Sequence, residues 1–241
     1  MATIDVIIPA LDEEASIGNV LRAIPAGLAR RVIVADNGSR DRTAEVASRH
    51  GGIVVHEPRR GYGSACLAGL RRASFDPPEI VVFLDADFSD HPEEMTALVA
   101  PLLADSADLV IGSRIRGAAD PGALAPQARY GNQLACFLIA RLYGHRYTDL
   151  GPFRAIRWDA LAALDMRDPA FGWTVEMQIK ALQRGLRVAE IPVRYRRRIG
   201  ASKITGTVSG TVRAGAKILW TIFRYAALER RAGAALGARP A

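Results

Sequence analysis

Two cysteines in 241 residues, Cys66 and Cys136, allow no disulfide framework and supply no metal-ligand spacing, so a reducing, cytoplasmic setting is expected. No apolar stretch approaches the roughly 20 residues needed to span a bilayer. LACFLIA at 134–140 is too short and runs into Arg141. The start, MATIDVIIPALDEE, turns acidic too soon for a signal peptide. There is no internal repeat and no low-complexity segment. GYGSACLAG lacks the glycine spacing of a dinucleotide fingerprint and the Gly-Lys-Ser/Thr of a Walker loop. No aromatic–basic platform for stacking bases is evident, so no nucleic-acid partner is expected.

What is present is an ordinary globular composition, 49% apolar and 24% charged, long enough to bury a full core. The net charge of +7 conceals an asymmetry: residues 184–241 carry 13 Lys/Arg against 2 Asp/Glu, whereas residues 1–183 carry 19 against 23. The basic last quarter is either a solvated face or a surface for a polyanion such as a membrane or a phosphorylated acceptor.

Short apolar runs alternate with helix-like segments over the first 112 residues. Strands are predicted at 4–10, 31–36, 52–57, 79–87 and 107–114, and helices at 13–24, 41–50, 62–73 and 91–104. Such β–α alternation implies a mostly parallel sheet with helices on both faces. Residues 115–130, with two Gly and two Pro, read as a long functional loop. Beyond it come a helix at 131–143, a turn and short strand at 149–157, helices near 158–164 and 176–185, and a strand at 186–196.

The run IVVFLDAD at 80–87 carries the chemistry. A strand buried on both faces ends in Asp85 and Asp87, at the sheet edge where open α/β folds bind ligands. Two such carboxylates repel each other unless a cation or donors satisfy them. A Mg²⁺-type ion held by one or two carboxylates and substrate phosphates fits that need. Two further polar clusters, Pro9–Glu14 and Asp36–Ser39, follow the first and second strands and converge on the same edge. Asp36 can accept from a base or ribose, or cap the next helix. Glu13 and Glu14 can simply favour a helix N-terminus. Arg59–Gly63 follows the third strand, where glycines permit close backbone approach and a helix N-terminus favours anions.

IIPALDEEASI, VIVADNGSRDRT, RRGYGSACLAGL, FLDADFSDHPEEM, LVIGSR, DLGPFRAI, GWTVEMQIKAL and VRYRRRIGASK occur in that order. Together they resemble a family 2 glycosyltransferase of the GT-A fold, on the branch that includes dolichol-phosphate mannose synthases and polyprenyl-phosphate glucosyltransferases. The resemblance covers roughly residues 3–225. It implies a Rossmann-like, mostly parallel sheet flanked by helices with a C-terminal acceptor-side extension. The domain would cover 1–205 (donor half 1–114, acceptor half 115–205), followed by a helix at 206–228 and a flexible tail at 229–241. It also implies roles. Pro9, Leu11, Glu13 and Asp36 would line the base and ribose site, with Gly61 near the nucleoside. Asp85 would touch the ribose or sugar side, and Asp87 would hold Mg²⁺ or Mn²⁺ on the diphosphate. Arg114 would face the phosphates or the acceptor, Arg129 the acceptor phosphate. Arg198 and Lys203 would lie on a mobile loop over the donor.

Such an enzyme moves a hexose from a UDP- or GDP-sugar with inversion. A lipid phosphate as acceptor is already ionised near pH 7 and needs no base, whereas a sugar hydroxyl needs one. Glu176 is the main candidate base and Asp149 the second; Glu176 can equally be a helix N-terminal residue that orients basic neighbours. His91 and His145 read as capping or surface residues. Phe153, Phe171 and Trp173 are either an acceptor wall or core. Helix 206–228, with Val208, Val212, Leu219, Ile222, Phe223 and Ala226 at helical spacing, is either interfacial on a membrane or packed on the sheet or a second subunit. The leading expectation is transfer to a polyprenyl phosphate at the cytosolic membrane face. The alternatives are a hydroxyl acceptor, nucleotidyl transfer (whose Gly-rich loop with Lys is missing) and a non-catalytic membrane-binding module.

Overall fold

The computed structural model describes residues 2–200 and 208–237. Seven strands form one sheet: β1 (Ile4–Ala10), β2 (Arg31–Asp36), β3 (Ile53–His56), β4 (Ile80–Phe83), β5 (Leu109–Ser113), β6 (Arg154–Arg157) and β7 (Val188–Pro192), in the order β3-β2-β1-β4-β6-β5-β7. Strands β1 to β4 are parallel, β6 runs antiparallel to both β4 and β5, and β7 is parallel to β5.

The apolar runs of β1 and β4 are continuous because both faces of these strands are covered. Side chains alternate between two cores. Ile7, Ile33, Val81 and Phe83 point into one, Val6, Ile8, Val34 and Val82 into the other. The first core is closed by α3 (Tyr62–Ala73), α5 (Pro126–Tyr143), α6 (Trp158–Leu164), α7 (Trp173–Gln183) and α8 (Val208–Gly237). The second is closed by α1 (Ile17–Ala23), α2 (Thr43–Arg49) and α4 (Met95–Leu103). From β1 the chain winds outward to β2 and β3, then returns to β4 on the other side. The crevice between the C-terminal ends of β1 and β4 is therefore the switch point of the sheet.

Three expected boundaries moved. The ladder of β4 stops at Phe83, opposite Arg154, so Asp85 and Asp87 leave the sheet on a loop that turns at Phe88 with φ +61°. The loop after β5 is shorter than residues 115–130, because α5 begins at Pro126: a proline at the first helical position loses no hydrogen bond and opens the helix. Helix α8 continues past Leu228 to Gly237, through part of the expected tail. Residues beyond 114 supply β6 and β7 to the same sheet as the first four strands. After β7, residues 193–199 run extended between the two loops at the sheet edge. Tyr195 bridges to both Asp90 and Ala119, and Arg196 N and Ile199 N donate to Ser89 O and Asp87 O at 2.9 and 3.0 Å. Among the described residues, no helix is long and apolar enough to cross a membrane.

Candidate active site

A cavity of about 390 Å³ opens at the switch point. Its walls come from the end of β1 (Pro9, Leu11, Glu13), the end of β2 (Asn37), the start of α3 (Gly61, Tyr62), the loop after β4 (Asp85, Asp87), Phe171 and Arg198. Asp36 is buried at the end of β2 and does not itself line the cavity. Its carboxylate accepts Ser39 N at 3.2 Å and lies 3.2 Å from His56 Nδ1, which holds the turn that presents Asn37. Asn37 in turn braces the next loop, donating to Glu57 O and Arg59 O and accepting from Gly61 N at 2.7 Å.

Gly61 and Gly63 are required here for contact. A Cβ on Gly61, at φ +143°, would strike Pro169 O, and one on Gly63 would strike Asp168 O. This close approach lets Ser64 N donate to Pro169 O at 2.9 Å, seating segment 165–172 against the mouth of α3.

The two aspartates are held differently. Asp85 accepts one bond from Tyr62 Oη at 3.0 Å; burial first, and the charge of Asp87 second, push its carboxyl up to about 7. Asp87 Oδ1 accepts Ser89 N at 2.9 Å and Ser89 Oγ at 2.5 Å, and its Oδ2 lies 3.2 Å from Arg198 Nη1. Arg198 reaches Glu13 Oε1 with its other terminal nitrogen at 2.8 Å. A third carboxyl, Asp90, is buried with no hydrogen-bond partner on either oxygen, and burial raises its pKa well above the usual carboxylate range. Among the described residues no three His, Cys, Asp or Glu side chains cluster as a complete metal cage. Asp85, with a single hydrogen-bond partner, and Asp87 both line the cavity, and the pair would suit a hard divalent cation that takes its other ligands from phosphate oxygens and water.

A second cavity, of about 280 Å³, lies beside the first and is lined by Arg114, Ile115, Gly117, Asp120, Leu124 and Arg129 among others. Arg114 is clamped by Asp149: its backbone N and Nε donate to Oδ2 at 2.8 Å and its Nη2 to Oδ1 at 2.7 Å. The buried Asp149 charge holds the guanidinium firmly protonated. Asp149, the second candidate base, is here the orienting partner of Arg114.

Glu176, expected as the base of a hydroxyl-directed reaction, is fully buried and lines neither cavity. Its oxygens accept Arg167 N at 3.0 Å, Asp168 N at 2.7 Å and Tyr225 Oη at 2.7 Å, and pair with Lys180 Nζ at 2.7 Å. A base must lie within hydrogen-bond reach of the proton it takes. Glu176 instead anchors segment 167–172, whose Phe171 forms a wall of the first cavity. Of the other aromatics, Phe153 and Trp173 are core, Trp173 packing edge-on to Phe83 at 5.9 Å. His91 pairs with Glu93 at 2.7 Å and His145 stacks near Tyr147. Lys203 lies outside the described residues.

Three participants escaped sequence reasoning: Tyr62 and Ser89, which hold the two aspartates, and Arg154. Arg154 is fully buried in β6 and donates to the carbonyls of Leu150, Gly151 and Thr174 without a carboxylate partner; burial lowers its pKa to about 10. An arginine opening a strand whose first three residues are buried was the feature that set it apart.

The pattern of Glycosyl transferase family 2 matches residues 5–164. The chain is 39% identical over 212 residues to an uncharacterized glycosyltransferase of Mycobacterium tuberculosis (strain H37Rv), covering 87% of this chain and 93% of that protein. It is 32% identical over 226 residues to the undecaprenyl-phosphate mannosyltransferase of Micrococcus luteus, covering 85% and 88%. Among solved structures it superposes on glucosyl-3-phosphoglycerate synthase of M. tuberculosis, in complex with Mn²⁺, UDP-glucose and phosphoglyceric acid, with a TM-score of 0.76 and 26% identity over 94% of this chain and 80% of that one. With a GT-A sheet, a doubly acidic cleft at its switch point and this family pattern across most of its length, the chain belongs to glycosyl transferase family 2 and is a glycosyltransferase.

Proposed function

We propose that the chain transfers a hexose, with inversion, from a UDP- or GDP-sugar to a polyprenyl phosphate at a membrane surface. The observation that carries this reading is the pairing of cavities: an acidic one at Asp85 and Asp87, and beside it one that presents two arginines, Arg114 and Arg129. The first suits a cation-bound diphosphate, the second a phosphate monoester. Such an acceptor is ionised near neutral pH, so the reaction needs no base where Glu176 is sequestered. The similarity to an undecaprenyl-phosphate mannosyltransferase points the same way.

Each residue then has a task. Pro9, Leu11, Glu13 and Asn37 seat the nucleoside, with Gly61 and Tyr62 closing over it. Asp87 and Asp85 hold Mg²⁺ or Mn²⁺, which neutralises charge on the leaving diphosphate when bound. Arg198, paired with Asp87 and Glu13, adds positive charge where the leaving diphosphate develops negative charge. Arg114, locked by Asp149, and Arg129 orient the acceptor phosphate.

A second reading is a soluble, phosphate-bearing hydroxyl acceptor, favoured by the likeness to the synthase solved with phosphoglyceric acid. Nucleoside diphosphate release from a panel of UDP- and GDP-sugars with Mn²⁺, with and without detergent-dispersed polyprenyl phosphate, separates the two. Release from one donor that rises sharply with the lipid supports the first reading. Release that ignores the lipid and rises with a phosphorylated hydroxy compound replaces it with the second.

A further inference from the structure

Helix α8 is apolar on its buried side and again on part of its exposed side. One side, with Ile222 and Ala226, is buried against α5 and α7, and Tyr143 Oη of α5 donates to Ile222 O at 2.7 Å. The other faces solvent and is still apolar: Val212, Trp220 and Phe223, spaced i, i+8, i+11, are 63%, 50% and 52% exposed. Helix α5 repeats the pattern, with Tyr130, Leu134 and Phe137 at i, i+4, i+7 and 71%, 48% and 60% exposed. The solvent side of a surface helix is ordinarily polar. Single exposed apolar residues need no explanation, but aligned stripes on two neighbouring helices mark an interaction surface.

Charge identifies the partner. Helices α5 and α8 together contain seven Lys/Arg and a single acid, Glu229. Trp220 sits between two of the cations, with Lys217 Nζ 4.3 Å and the Arg224 guanidinium 4.9 Å from its ring centroid. Aromatic rings beside Arg and Lys, on a helix too polar to span, are the composition of an interfacial helix lying in the headgroup region.

We propose that the α5–α8 face docks on an anionic bilayer surface, its aromatic and aliphatic stripes in the interface and its cations among the headgroups. A second copy of the chain is the competing occupant, but a two-fold contact would set this positive face against itself. Anionic headgroups neutralise it instead. Arg129, which lines the second cavity, lies in the first turns of α5, so docking of this helix would bring that cavity near the bilayer. The inference does not depend on the acceptor's identity, because vesicles without polyprenyl phosphate test it.

The test is co-sedimentation of the full chain with phosphatidylcholine vesicles containing about one-third phosphatidylglycerol, beside the double variants Trp220→Ser/Phe223→Ser and Leu134→Ser/Phe137→Ser. The wild type is expected to bind, roughly tenfold more weakly on phosphatidylcholine alone or at raised salt. Each double variant is expected to lose on the order of tenfold or more, with its melting temperature held because the residues are exposed. If a variant fails to fold, quenching of wild-type emission by bromine-labelled lipid, absent in Trp220→Phe, decides the question. The proposal is overturned if the wild type ignores anionic vesicles, if the serine variants bind as it does, or if the chain is a dimer that those variants dissociate. Transfer to a detergent-dispersed acceptor is measured separately, so loss of docking and loss of the proposed activity are distinguishable.

Discussion

The carboxylates after β4 and the carboxylate of α7 are both buried, yet they are treated in opposite ways. Glu176 accepts two backbone N–H groups and a tyrosine hydroxyl and pairs with a lysine. Asp85 has one tyrosine, and neither carboxylate oxygen of Asp90 has a hydrogen-bond partner among the described residues. A buried charge costs several kcal/mol unless it is fully paired. Full pairing makes Glu176 scaffolding. Asp85, incompletely paired, and Asp87, held by Ser89 and Arg198, both line a cavity where a ligand can bring its own positive charge. Two acidic residues in similar sequence settings, each at the boundary of a regular element, differ in role because of what surrounds them.

The sharpest break of this contrast is Glu176→Ala. It strands Lys180, Tyr225 and the N–H groups of Arg167 and Asp168, and is expected to cost roughly 3–5 kcal/mol in chemical unfolding. Glu176→Gln should keep most of the turnover per folded molecule and leave the pH–rate profile unmoved. A loss of roughly 10²–10⁴ in kcat from that variant would restore Glu176 as a base. Asp87→Ala should do the reverse, losing on the order of 10²–10³ in transfer rate while the melting temperature stays within a few degrees. A stability collapse there would mean that Asp87 is scaffolding too.

Arg129→Ala is expected to raise the acceptor KM by roughly 10- to 100-fold, the worth of a charge-assisted hydrogen bond, with the donor KM unchanged. A change in the donor KM alone would move Arg129 to the other cavity.

The smallest effect belongs to Asp85. Its carboxyl titrates near 7 in the fold against 3.8 ordinarily, so the folded state binds the extra proton and stability falls as pH rises from about 4 to 7. In chelator-treated protein, Asp85→Asn should therefore raise the melting temperature at pH 8 and leave it unchanged near pH 4. An equal shift at both pH values would show that the effect is not electrostatic.

The acidic cavity at the switch point was more legible than the second cavity. Pro9, Glu13, Asp36 and Asp85 each follow a short apolar run, and a parallel sheet brings such ends together without further information. In the second cavity, Arg114 was readable as the end of a strand, but its clamp by Asp149 spans 35 residues and the whole of α5, a separation that no local pattern bridges. Glu176 read equally as base or scaffold because its hydroxyl partner, Tyr225, lies 49 residues away on α8. The paired start of α5 was misplaced because Pro126 reads as a breaker when it is the opening residue.

The alternation of apolar runs with helical periods, the two-sided burial of β1 and β4 and the acidic strand end were determined by sequence alone, because each depends on neighbours a few residues apart. The insertion of β6 between β4 and β5, the reach of Arg198 across 185 residues to Glu13, and the exposure of the outer stripes of α5 and α8 were decided only by the tertiary structure. Whether a charge is satisfied, or an apolar stripe covered, depends on which distant groups the fold brings within a few ångströms, and that proximity is a property of packing.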